Sequence, residues 1–338
     1  MGKHEEIKVK KERKKKKHIG LKIFIGILVV LAILGGLFAK RVHDLDGNWI
    51  AALFGHNKNT LENLEKLYVL VIGKSQGMTD TMIVCSYDPK TQEAAMLSIP
   101  RDTFIGDSRY SASVYDKINS VYSSNNEDPQ KVLDEINEIT GLNIKNWALI
   151  DTKALVELVN EIGGVEFNVP IDMKYDDYSQ ELHVDLKQGW QTLNGDQVEQ
   201  LVRFRHNSDG TSYSYEYGNE DFGRMRTQRE VIKAIAKQTI QLKNVTEIGK
   251  ILDITKKYVK TNMEFDSLKD YIPYAINMNT DNIIAERLPG ESDYINGISF
   301  FLHDEEETET IINEMFYGIN LEEQTEEQTE EQTEQNNV

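Results

Sequence analysis

Half of the arginines in this chain lie in one short segment that contains no lysine. The chain has ten arginines, and random scatter would place fewer than one of them in a segment of this length. The five clustered arginines are Arg203, Arg205, Arg224, Arg226 and Arg229. Because a guanidinium group is planar, always charged and donates hydrogen bonds in pairs, arginine without lysine is typical of a phosphate site. The alternative is a network of surface ion pairs with nearby carboxylates such as Asp221, which would contribute little to stability.

Three further charged residues lie at the ends of predicted strands. Pro100 cannot donate to a strand ladder, so the strand before it stops and presents Arg101 and Asp102 in a loop. Asp80 comes immediately before a second predicted strand, where it could also simply cap a turn. A carboxylate beside phosphate-binding arginines is a usual ligand for Mg²⁺. Together with the arginine cluster, these residues predict a polyanion site with a metal-binding carboxylate.

The composition excludes several other kinds of chemistry. The formal net charge of -18 makes the chain a poor candidate for a nucleic-acid binder, whose affinity comes mostly from Lys and Arg. The single cysteine, Cys85, excludes an intrachain disulfide and a multi-cysteine metal site, and we expect it to be a small buried residue. His183 and His206 are isolated, so the sequence predicts no Ser-His-Asp or Cys-His nucleophile.

The charges are segregated along the chain. Residues 1–18 form a basic head with a net charge of +6, so the remaining 320 residues sum to -24. The apolar run 19–39 follows, and at about 1.5 Å per residue it is long enough to cross a bilayer core. A cleavable signal peptide would have a shorter apolar core, and a buried core helix would not follow a basic block. We therefore expect an uncleaved single-pass membrane anchor, with its N-terminus in the cytoplasm and the rest of the chain outside.

We expect one globular unit between two polar segments. The first is a connector at 40–65, and the second is a disordered acidic tail at 319–338 that repeats EEQT. Strands and helices alternate within that unit, which predicts an α/β fold: a three-layer α/β/α sandwich with a mixed central sheet. The predicted strands are Leu67–Ile72, Thr81–Tyr87, Glu93–Ile99, Trp147–Ile150, Gly164–Val169, and a pair at Ile284–Leu288 and Ile298–Leu302. The predicted helices include Pro129–Thr140, Thr152–Ile162, 194–202, Arg226–Lys243 and Glu305–Phe316.

The chain resembles the LytR-CpsA-Psr family of bacterial cell-envelope proteins. The matching pieces include VLVIG, TDTMIVCSYDPKT, SIPRDTF, DKINSVY, LVRFRH and DFGRMRTQRE, in the family's order over about residues 67–245. The basic head and the single apolar segment also agree with the family. On this resemblance, residues 66–245 would form the catalytic core, and residues 246–318 the C-terminal part of the extracytoplasmic domain.

The resemblance implies a membrane-anchored phosphotransferase of a Gram-positive bacterium that acts outside the cell. Family members take a glycopolymer, such as wall teichoic acid or a capsular polysaccharide, from a polyprenyl-pyrophosphate carrier and attach it to peptidoglycan through a phosphodiester. Their fold is an α/β/α sandwich with a long apolar pocket for the lipid tail, and Mg²⁺ (or Mn²⁺) binds at the pyrophosphate. The implied partners are the lipid-linked glycopolymer, peptidoglycan and membrane lipid, with no nucleic acid.

The family motifs also imply roles for particular residues. The catalytic residues would be Asp80, Arg101 and Asp102, with Asp80 as the metal ligand and Asp102 as a candidate base or a purely structural residue. The pyrophosphate ligands would be Arg101, Arg203, Arg205 and Arg224, with Lys117, Asn119, Arg226 and Arg229 as further substrate contacts.

Three positions depart from the family pattern. The family commonly has an Asp shortly after its first strand and an Arg two residues before the TDT-type aspartate, where this chain has Ser75 and Met78. It often has an Arg three residues after the arginine of DFGR, where this chain has Thr227, with Arg226 and Arg229 on either side. Three functions stay open: the phosphotransferase, a non-catalytic module that binds polyprenyl pyrophosphate or wall polymer, and an envelope regulator. The missing Asp favours the second.

Overall fold

The computed structural model describes residues 31–75, 78–218, 220–241 and 245–319. The basic head, the first part of the expected anchor and nearly all of the acidic tail therefore lie outside the described residues. Helix α1, at 31–44, begins the described chain, and several large apolar side chains on it are exposed. Among the described residues, no helix is long and apolar enough to cross a membrane.

Two short helices occupy the expected connector. The chain divides into two compact units after Leu64, and the first unit contains α2 (Trp49–Leu53) and α3 (Lys58–Asn63). Each helix begins after an asparagine, Asn48 or Asn57, whose side-chain oxygen accepts a backbone N–H of the first turn. These caps satisfy N–H groups that a helix start leaves unpaired. The connector thus has local structure that its lack of periodicity did not predict.

The second unit is built on a six-stranded mixed sheet with strand order β10-β3-β2-β1-β4-β9. Two-stranded sheets pair β5 with β8, β6 with β7 and β11 with β12. The strands are β1 (Leu67–Ser75), β2 (Met78–Tyr87), β3 (Ala94–Ile99), β4 (Asn146–Asp151), β5 (Val165–Val169), β6 (Met173–Asp177), β7 (Leu182–Leu186), β8 (Gly189–Leu193), β9 (Val259–Thr261), β10 (Ile284–Arg287), β11 (Gly290–Ile295) and β12 (Ile298–His303). The helices are α4 (Ile118–Ser124), α5 (Pro129–Thr140), α6 (Thr152–Glu161), α7 (Gly195–Arg203), α8 (Glu220–Gln241), α9 (Val245–Tyr258), α10 (Phe265–Leu268), α11 (Ile272–Ala275) and α12 (Glu305–Ile312).

The two faces of the central sheet have different surroundings. Leu70 and Ile72 of β1 are buried in the main core, together with residues of α4, α5 and α12. Val71 and Gly73 alternate with them along the strand and face the opposite side, where they line a cavity with α6, α7 and α8. Helices therefore lie on both sides of the sheet, as predicted from a central strand, β2, that is apolar on both of its faces.

The prediction of an α/β domain with a mixed central sheet is confirmed. Helix α5 spans Pro129–Thr140 as predicted, because Asp128 caps its start and Gly141 adopts a left-handed conformation after its end. Helix α8 begins at Glu220, six residues before the predicted start at Arg226. The predicted helix thus began after the DFGR motif, whereas the structure places this motif in the first turns of α8.

Both strands predicted near the C-terminus exist, but the prediction that they pair with each other is wrong. Strand β10 joins β3 in parallel at the edge of the central sheet, whereas β12 pairs antiparallel with β11, a strand that was not predicted. Strand β11, with sequence GESDYI, is mostly exposed and lacks the apolar alternation that identifies strands in a sequence. The predictions also lacked β6, β7 and β8, although β7 alternates buried and exposed residues from Leu182 to Leu186.

Cys85 lies in the middle of β2, where burial raises the pKa of its thiol to about 12. Because the thiolate is the reactive form, we expect alkylation by iodoacetamide at pH 8 to be at least about 100-fold slower in the folded protein than in urea. Mass spectrometry of the alkylated cysteine peptide over time measures both rates. Equal rates in buffer and in urea would show that the thiol is accessible and ionisable in the native strand.

Candidate active site

Three arginines from separate parts of the chain converge on the carboxylate of Asp221. Arg224 Nη2 lies 2.8 Å and Arg205 Nε 3.2 Å from Asp221 Oδ1, and Arg101 Nε lies 3.9 Å from Asp221 Oδ2. Arg101 follows β3 and Arg205 follows α7, whereas Asp221 and Arg224 lie one turn apart in α8. The structure thus brings Arg101 together with members of both arginine groups of the 203–229 segment.

Arg101 also binds a second carboxylate. Its Nη1 donates a hydrogen bond of 2.7 Å to Asp80 Oδ1, and its Nε lies 3.8 Å from Asp102 Oδ2. Burial by itself acts to lower the pKa of Arg101, but the carboxylates of Asp221, Asp80 and Asp102 outweigh it and raise the pKa. The Arg101 guanidinium is therefore held charged and in place before any ligand binds.

The residues after Arg101 hold its loop. Lys117 Nζ donates to Asp102 Oδ1 at 2.9 Å. The backbone N–H of Asn119 donates to Arg101 O at 3.1 Å, and Asn119 O accepts from Thr79 Oγ1 at 3.3 Å. The main chain of Asn119 thus joins the loop to β2. Asp102, Lys117 and Asn119 lie beside Arg101 but are not among the residues that line the cavity described next.

A cavity of about 330 Å³ lies between the central sheet and helices α6, α7 and α8. Its residues from α8 recur at intervals of three or four and are Arg224, Gln228, Val231, Ile232 and Ile235. Along this face, over about 16 Å at 1.5 Å per residue, the lining changes from charged to apolar. Other apolar lining residues are Val71, Ile150, Leu155, Leu182 and Val202. The shape and the lining fit an amphipathic ligand with an anionic head and an apolar tail.

Arg203 lies at the charged end of the same cavity. It is the last residue of α7, and its Nη1 donates to Glu199 Oε1 at 2.9 Å, one helical turn earlier. Its Nη2 lies 3.4 Å from Gln180 O, in the turn between β6 and β7. Arg205, two residues further on, also lines the cavity. The RFR motif therefore supplies two guanidinium groups to one cavity mouth.

Arg224 is the most buried of the arginines that line the cavity, with 6% of its surface exposed. Burial lowers the pKa of Arg224, and the nearby Asp221 carboxylate partly offsets this effect. Its Nε atom is buried and has no hydrogen-bond partner among the described residues. Buried donors are normally paired, so an unused donor beside a cavity indicates a position for a ligand oxygen.

The other two arginines of the segment lie elsewhere. Arg226 is exposed, with its guanidinium 4.6 Å from the centre of the Tyr217 ring, and Arg229 is buried and donates to Ser98 Oγ at 3.0 Å. Neither lines the cavity. Thr227, where the family often has an arginine, is fully buried and donates to Gly223 O. The positions of Arg226 and Arg229, which flank Thr227 in the sequence, therefore give no support to the idea that either replaces the absent arginine at the cavity.

Asp80 lines the cavity, and about a quarter of its side chain is exposed. Among the described residues, no three His, Cys, Asp or Glu side chains are grouped so that they could hold a metal ion. Mg²⁺ commonly binds through one or two carboxylates together with substrate phosphates and water. Asp80 thus fits a metal ion that arrives with a phosphate ligand, and does not by itself complete a metal site.

Two of the departures from the family pattern are partners in the sheet. Ser75 and Met78 form the last residue pair of the antiparallel β1–β2 ladder. In the family pattern, the same pair of positions would carry an aspartate opposite an arginine. What looks like two separate substitutions in the sequence is therefore one change at the end of the hairpin, next to the strand residue Asp80.

Sequence reasoning missed the central role of Asp221. It considered this residue only as a partner in a surface network, whereas Asp221 lies among Arg101, Arg205 and Arg224 with 24% of its side chain exposed. The available signal was its spacing of three residues from Arg224, which becomes meaningful once α8 is known to begin at Glu220. Further polar lining residues that were not predicted as site residues are Lys74, Thr81, Asp151, Thr152, Tyr175, Gln180, His206 and Gln228. Nothing in the sequence around Gln180 indicated that its turn reaches the cavity.

These features define a class of α/β protein in which arginines gather at one end of a mixed sheet beside an apolar cavity. Within that class, this chain belongs to the LytR-CpsA-Psr family, because the LytR_cpsA_psr family profile matches residues 44–317. The match includes α2, α3 and the segment 246–317, so it extends on both sides of the motif-bearing region.

Similar proteins of known name and known structure agree with this assignment. The polyisoprenyl-teichoic acid–peptidoglycan teichoic acid transferase TagU of Bacillus licheniformis is 27% identical, over 91% of this chain and 98% of TagU. The crystal structure of B. subtilis TagV superposes with a TM-score of 0.61 at 22% identity, over 74% of this chain and 97% of TagV. TagT bound to LIIa-WTA superposes with a TM-score of 0.56 at 19% identity, over 74% of this chain and 89% of TagT. The two structures show that the fold is shared.

Gly223, in the DFGR motif, allows the start of α8 to pack against the preceding loop. A Cβ atom at Gly223 would clash with Gly218 O and with the Tyr213 ring, which is itself buried. We therefore expect Gly223→Ala to lower the free energy of unfolding by about 1–3 kcal/mol, as overpacking usually does. Urea denaturation followed by circular dichroism measures the change.

Gly249→Ala in α9 is the matched control. A Cβ atom at Gly249 meets no atom within 4 Å, and alanine is the better helix former, so this variant should be unchanged or slightly more stable. If Gly223→Ala were as stable as the control, the glycine of DFGR would have no packing role.

Proposed function

We propose that this protein is a phosphotransferase that moves a glycopolymer from a polyprenyl-pyrophosphate carrier to peptidoglycan. The observation that carries the proposal is the single face of α8 that lines the cavity, with Arg224 at one end and Ile235 at the other. A soluble small metabolite would use the charged end alone. A lipid-linked pyrophosphate uses both ends, and membership of a family that includes TagU directs the proposal towards wall-polymer transfer.

The arginines would act on the phosphate groups of the donor. A hydroxyl of the acceptor glycan attacks the phosphorus that is attached to the sugar, and the bond from that phosphorus to the bridging oxygen breaks. Polyprenyl phosphate leaves, and the polymer stays linked through a new phosphodiester. Because charge accumulates on the phosphate oxygens, fixed guanidinium groups stabilise the transition state more than the ground state. Arg224, with its unused Nε donor, and Arg101 are placed for this role.

Asp102 is the candidate base for the acceptor hydroxyl. Its Oδ1 accepts a hydrogen bond from Lys117, and its Oδ2 lies 3.8 Å from Arg101 Nε. These two contacts fix the orientation of the carboxylate beside Arg101. A loose phosphoryl-transfer transition state needs little help from a base. We therefore assign Asp102 a smaller contribution than the arginines.

We further propose that Mg²⁺ (or Mn²⁺) binds together with the pyrophosphate and that Asp80 is its protein ligand. Such an ion would neutralise charge on the phosphate oxygens. Asp80 accepts a hydrogen bond from Arg101 through Oδ1, and its carboxylate would supply the protein ligand to the metal ion. Arg101 thereby connects Asp80, the proposed metal ligand, with the arginines that would bind the phosphates, because it contacts both Asp80 and Asp221.

The site would work outside the cell, at the membrane surface. The apolar run 19–39 with the basic head before it supports a single-pass anchor, and the exposed Leu34 and Leu37 of α1 lie in that run. A catalytic unit anchored in this way meets a lipid-linked donor in the same membrane.

A second candidate function is a non-catalytic module that binds polyprenyl pyrophosphate. It is favoured by the Ser75–Met78 pair, which leaves Asp80 as the single carboxylate among the described residues at this end of the β1–β2 ladder. Binding would need only the cavity and the arginines, whereas turnover also needs the metal position.

Turnover separates the two functions. Full-length protein in detergent micelles, given a polyprenyl-pyrophosphate-linked glycopolymer, peptidoglycan fragments and Mg²⁺, should release polyprenyl phosphate and yield polymer-linked glycan, both measured by mass spectrometry. Arg203→Ala should reduce the rate about 10²–10³-fold, the usual effect of removing one donor that stabilises developing charge. Among the described residues, Arg203 has one carboxylate partner, Glu199 in its own helix, and its Nη2 also lies 3.4 Å from Gln180 O. Losing these contacts should cost the folded structure about 0.5–1 kcal/mol.

Arg109→Ala, an exposed arginine outside the cavity, is the control and should retain the wild-type rate. If the wild-type protein bound the donor without ever releasing polyprenyl phosphate, the binding module would replace the enzyme. If Arg203→Ala were fully active, the arginines at the cavity mouth would be only a surface network.

The metal requirement gives a separate prediction. Replacing both members of the terminal strand pair, Ser75→Asp with Met78→Arg, adds a carboxylate at the end of the ladder that carries Asp80. We expect the Mg²⁺ concentration for half-maximal turnover to fall about three- to tenfold, since a second carboxylate strengthens a hard-cation site. A Mg²⁺ titration of turnover measures the shift. An unchanged midpoint would show that the metal ion does not bind at this end of the hairpin.

A further inference from the structure

A second cavity of about 350 Å³ opens beside the first and shares part of its wall. Lys74, Gln180 and Arg203 line both cavities. The residues that belong to the second cavity alone include Lys153, Tyr258 and Lys260. We call it the basic cleft, defined by the side chains of Lys74, Lys153, Arg203, Tyr258 and Lys260.

The positive charge of the basic cleft is only partly neutralised. Lys74 lies 2.9 Å from Glu127, and Arg203 lies 2.9 Å from Glu199. Lys153 and Lys260 have no carboxylate within ion-pair distance among the described residues, and the one carboxylate in the wall, Asp151, caps the start of α6. Lys153 and Lys260 are both exposed, and Glu127, whose pKa is lowered first by Lys74 and also by Lys260, balances part of this charge. Four basic side chains against Asp151, Glu127 and Glu199 leave an excess of positive charge beside the arginines of the first cavity.

The C-terminal part of the domain builds this cleft. Strand β9 pairs with β4 so that Lys260 lies opposite Leu149 and Val259 opposite Ile150. Tyr258 ends α9, immediately before β9, and its ring centre lies 5.9 Å from Lys153 Nζ. The edge strand of the central sheet therefore fixes the positions of Tyr258 and Lys260 relative to α6. Residues beyond the arginine-bearing motifs thereby complete a charged surface at the active site.

We propose that the basic cleft binds a second anionic group of the substrates, a phosphate or a carboxylate, through Lys153 and Lys260. This inference rests on the proposed function and extends it, because the arginines already account for the pyrophosphate. A ligand that leaves the charged end of the first cavity past Arg203 enters the basic cleft directly, since that side chain is in both walls. The anionic group belongs either to the polymer of the donor, as a polyol phosphate, or to the acceptor, as a peptide carboxylate. Tyr258 offers a ring face for a sugar or polyol between the lysines.

The test compares charged and uncharged versions of each substrate. The donor is a polyprenyl-pyrophosphoryl disaccharide with or without three added glycerol phosphate units. The acceptor is a peptidoglycan fragment whose stem-peptide carboxylates are free or amidated. The double variant Lys153→Gln with Lys260→Gln removes both charges, Lys153→Arg with Lys260→Arg keeps them, and Lys131→Gln, an exposed lysine of α5 outside the cleft, is the control.

The measured quantity is the ratio of kcat/KM for the charged and uncharged forms. We expect the Gln double variant to lower this ratio about tenfold for one substrate, since charge-assisted hydrogen bonds are worth more than neutral ones. The Arg double variant should restore most of it, and Lys131→Gln should match the wild-type ratio. A lowered ratio in the donor series identifies a polymer phosphate as the ligand, and a lowered ratio in the acceptor series identifies a peptide carboxylate.

Wild-type ratios in both series for the Gln double variant would overturn the proposal. An equal fall of the ratio in the Lys131→Gln control would also overturn the proposal, because it would show that the overall charge of the protein, and not the basic cleft, sets the ratio. Turnover of the uncharged donor by the wild-type protein tests the proposed function separately. An inactive wild-type protein would therefore contradict the phosphotransferase, whereas an active one with unchanged ratios would contradict only the basic cleft.

Discussion

The candidate site depends on one electrostatic constraint: guanidinium groups that must lie close together repel each other until an anion joins them. In the protein by itself, that anion is the carboxylate of Asp221, which lies within 4 Å of Arg101, Arg205 and Arg224. Its place in the first turn of α8 is favourable, because the N-terminus of a helix stabilises negative charge. The arginines are thus arranged before a ligand arrives, and a pyrophosphate would compete with Asp221 for the same donors.

Helix α8 joins this charged site to the apolar cavity. Its face at Arg224 and Gln228 continues without a break to Val231, Ile232 and Ile235. One rigid helix therefore fixes the distance between the arginine cluster and the apolar end of the cavity, which are the proposed positions of the phosphate and of the lipid tail. The packing of Gly223 against the Tyr213 loop sets where this helix starts, and so where Arg224 lies.

Residues around the edge of the site can differ between related chains while the arginine cluster stays the same. The Ser75–Met78 pair changes the hairpin end beside Asp80 without altering the arginines. The basic cleft draws Tyr258 and Lys260 from the C-terminal part of the domain, so its charge can vary independently of the phosphate site. Chains that share this fold can differ in such neighbouring surfaces without a change in the arginine cluster.

The alternation of strands and helices, the end of β3 at Pro100, the limits of α5 and the concentration of arginines can all be predicted from the sequence. These are local properties, set by apolar periodicity, by proline and capping residues, and by residue type. Which arginines meet depends on the folded structure. Arg205 and Arg224 join Arg101, whereas Arg226 and Arg229 point elsewhere because successive residues of a helix point in different directions. The folded structure also decides that Asp221 is central, that Ser75 faces Met78, and that β10 and β12 belong to different sheets. These contacts join residues that are distant in the chain or lie across a turn. They depend on how helices pack and on the register in which strands pair, and no single segment of sequence specifies either.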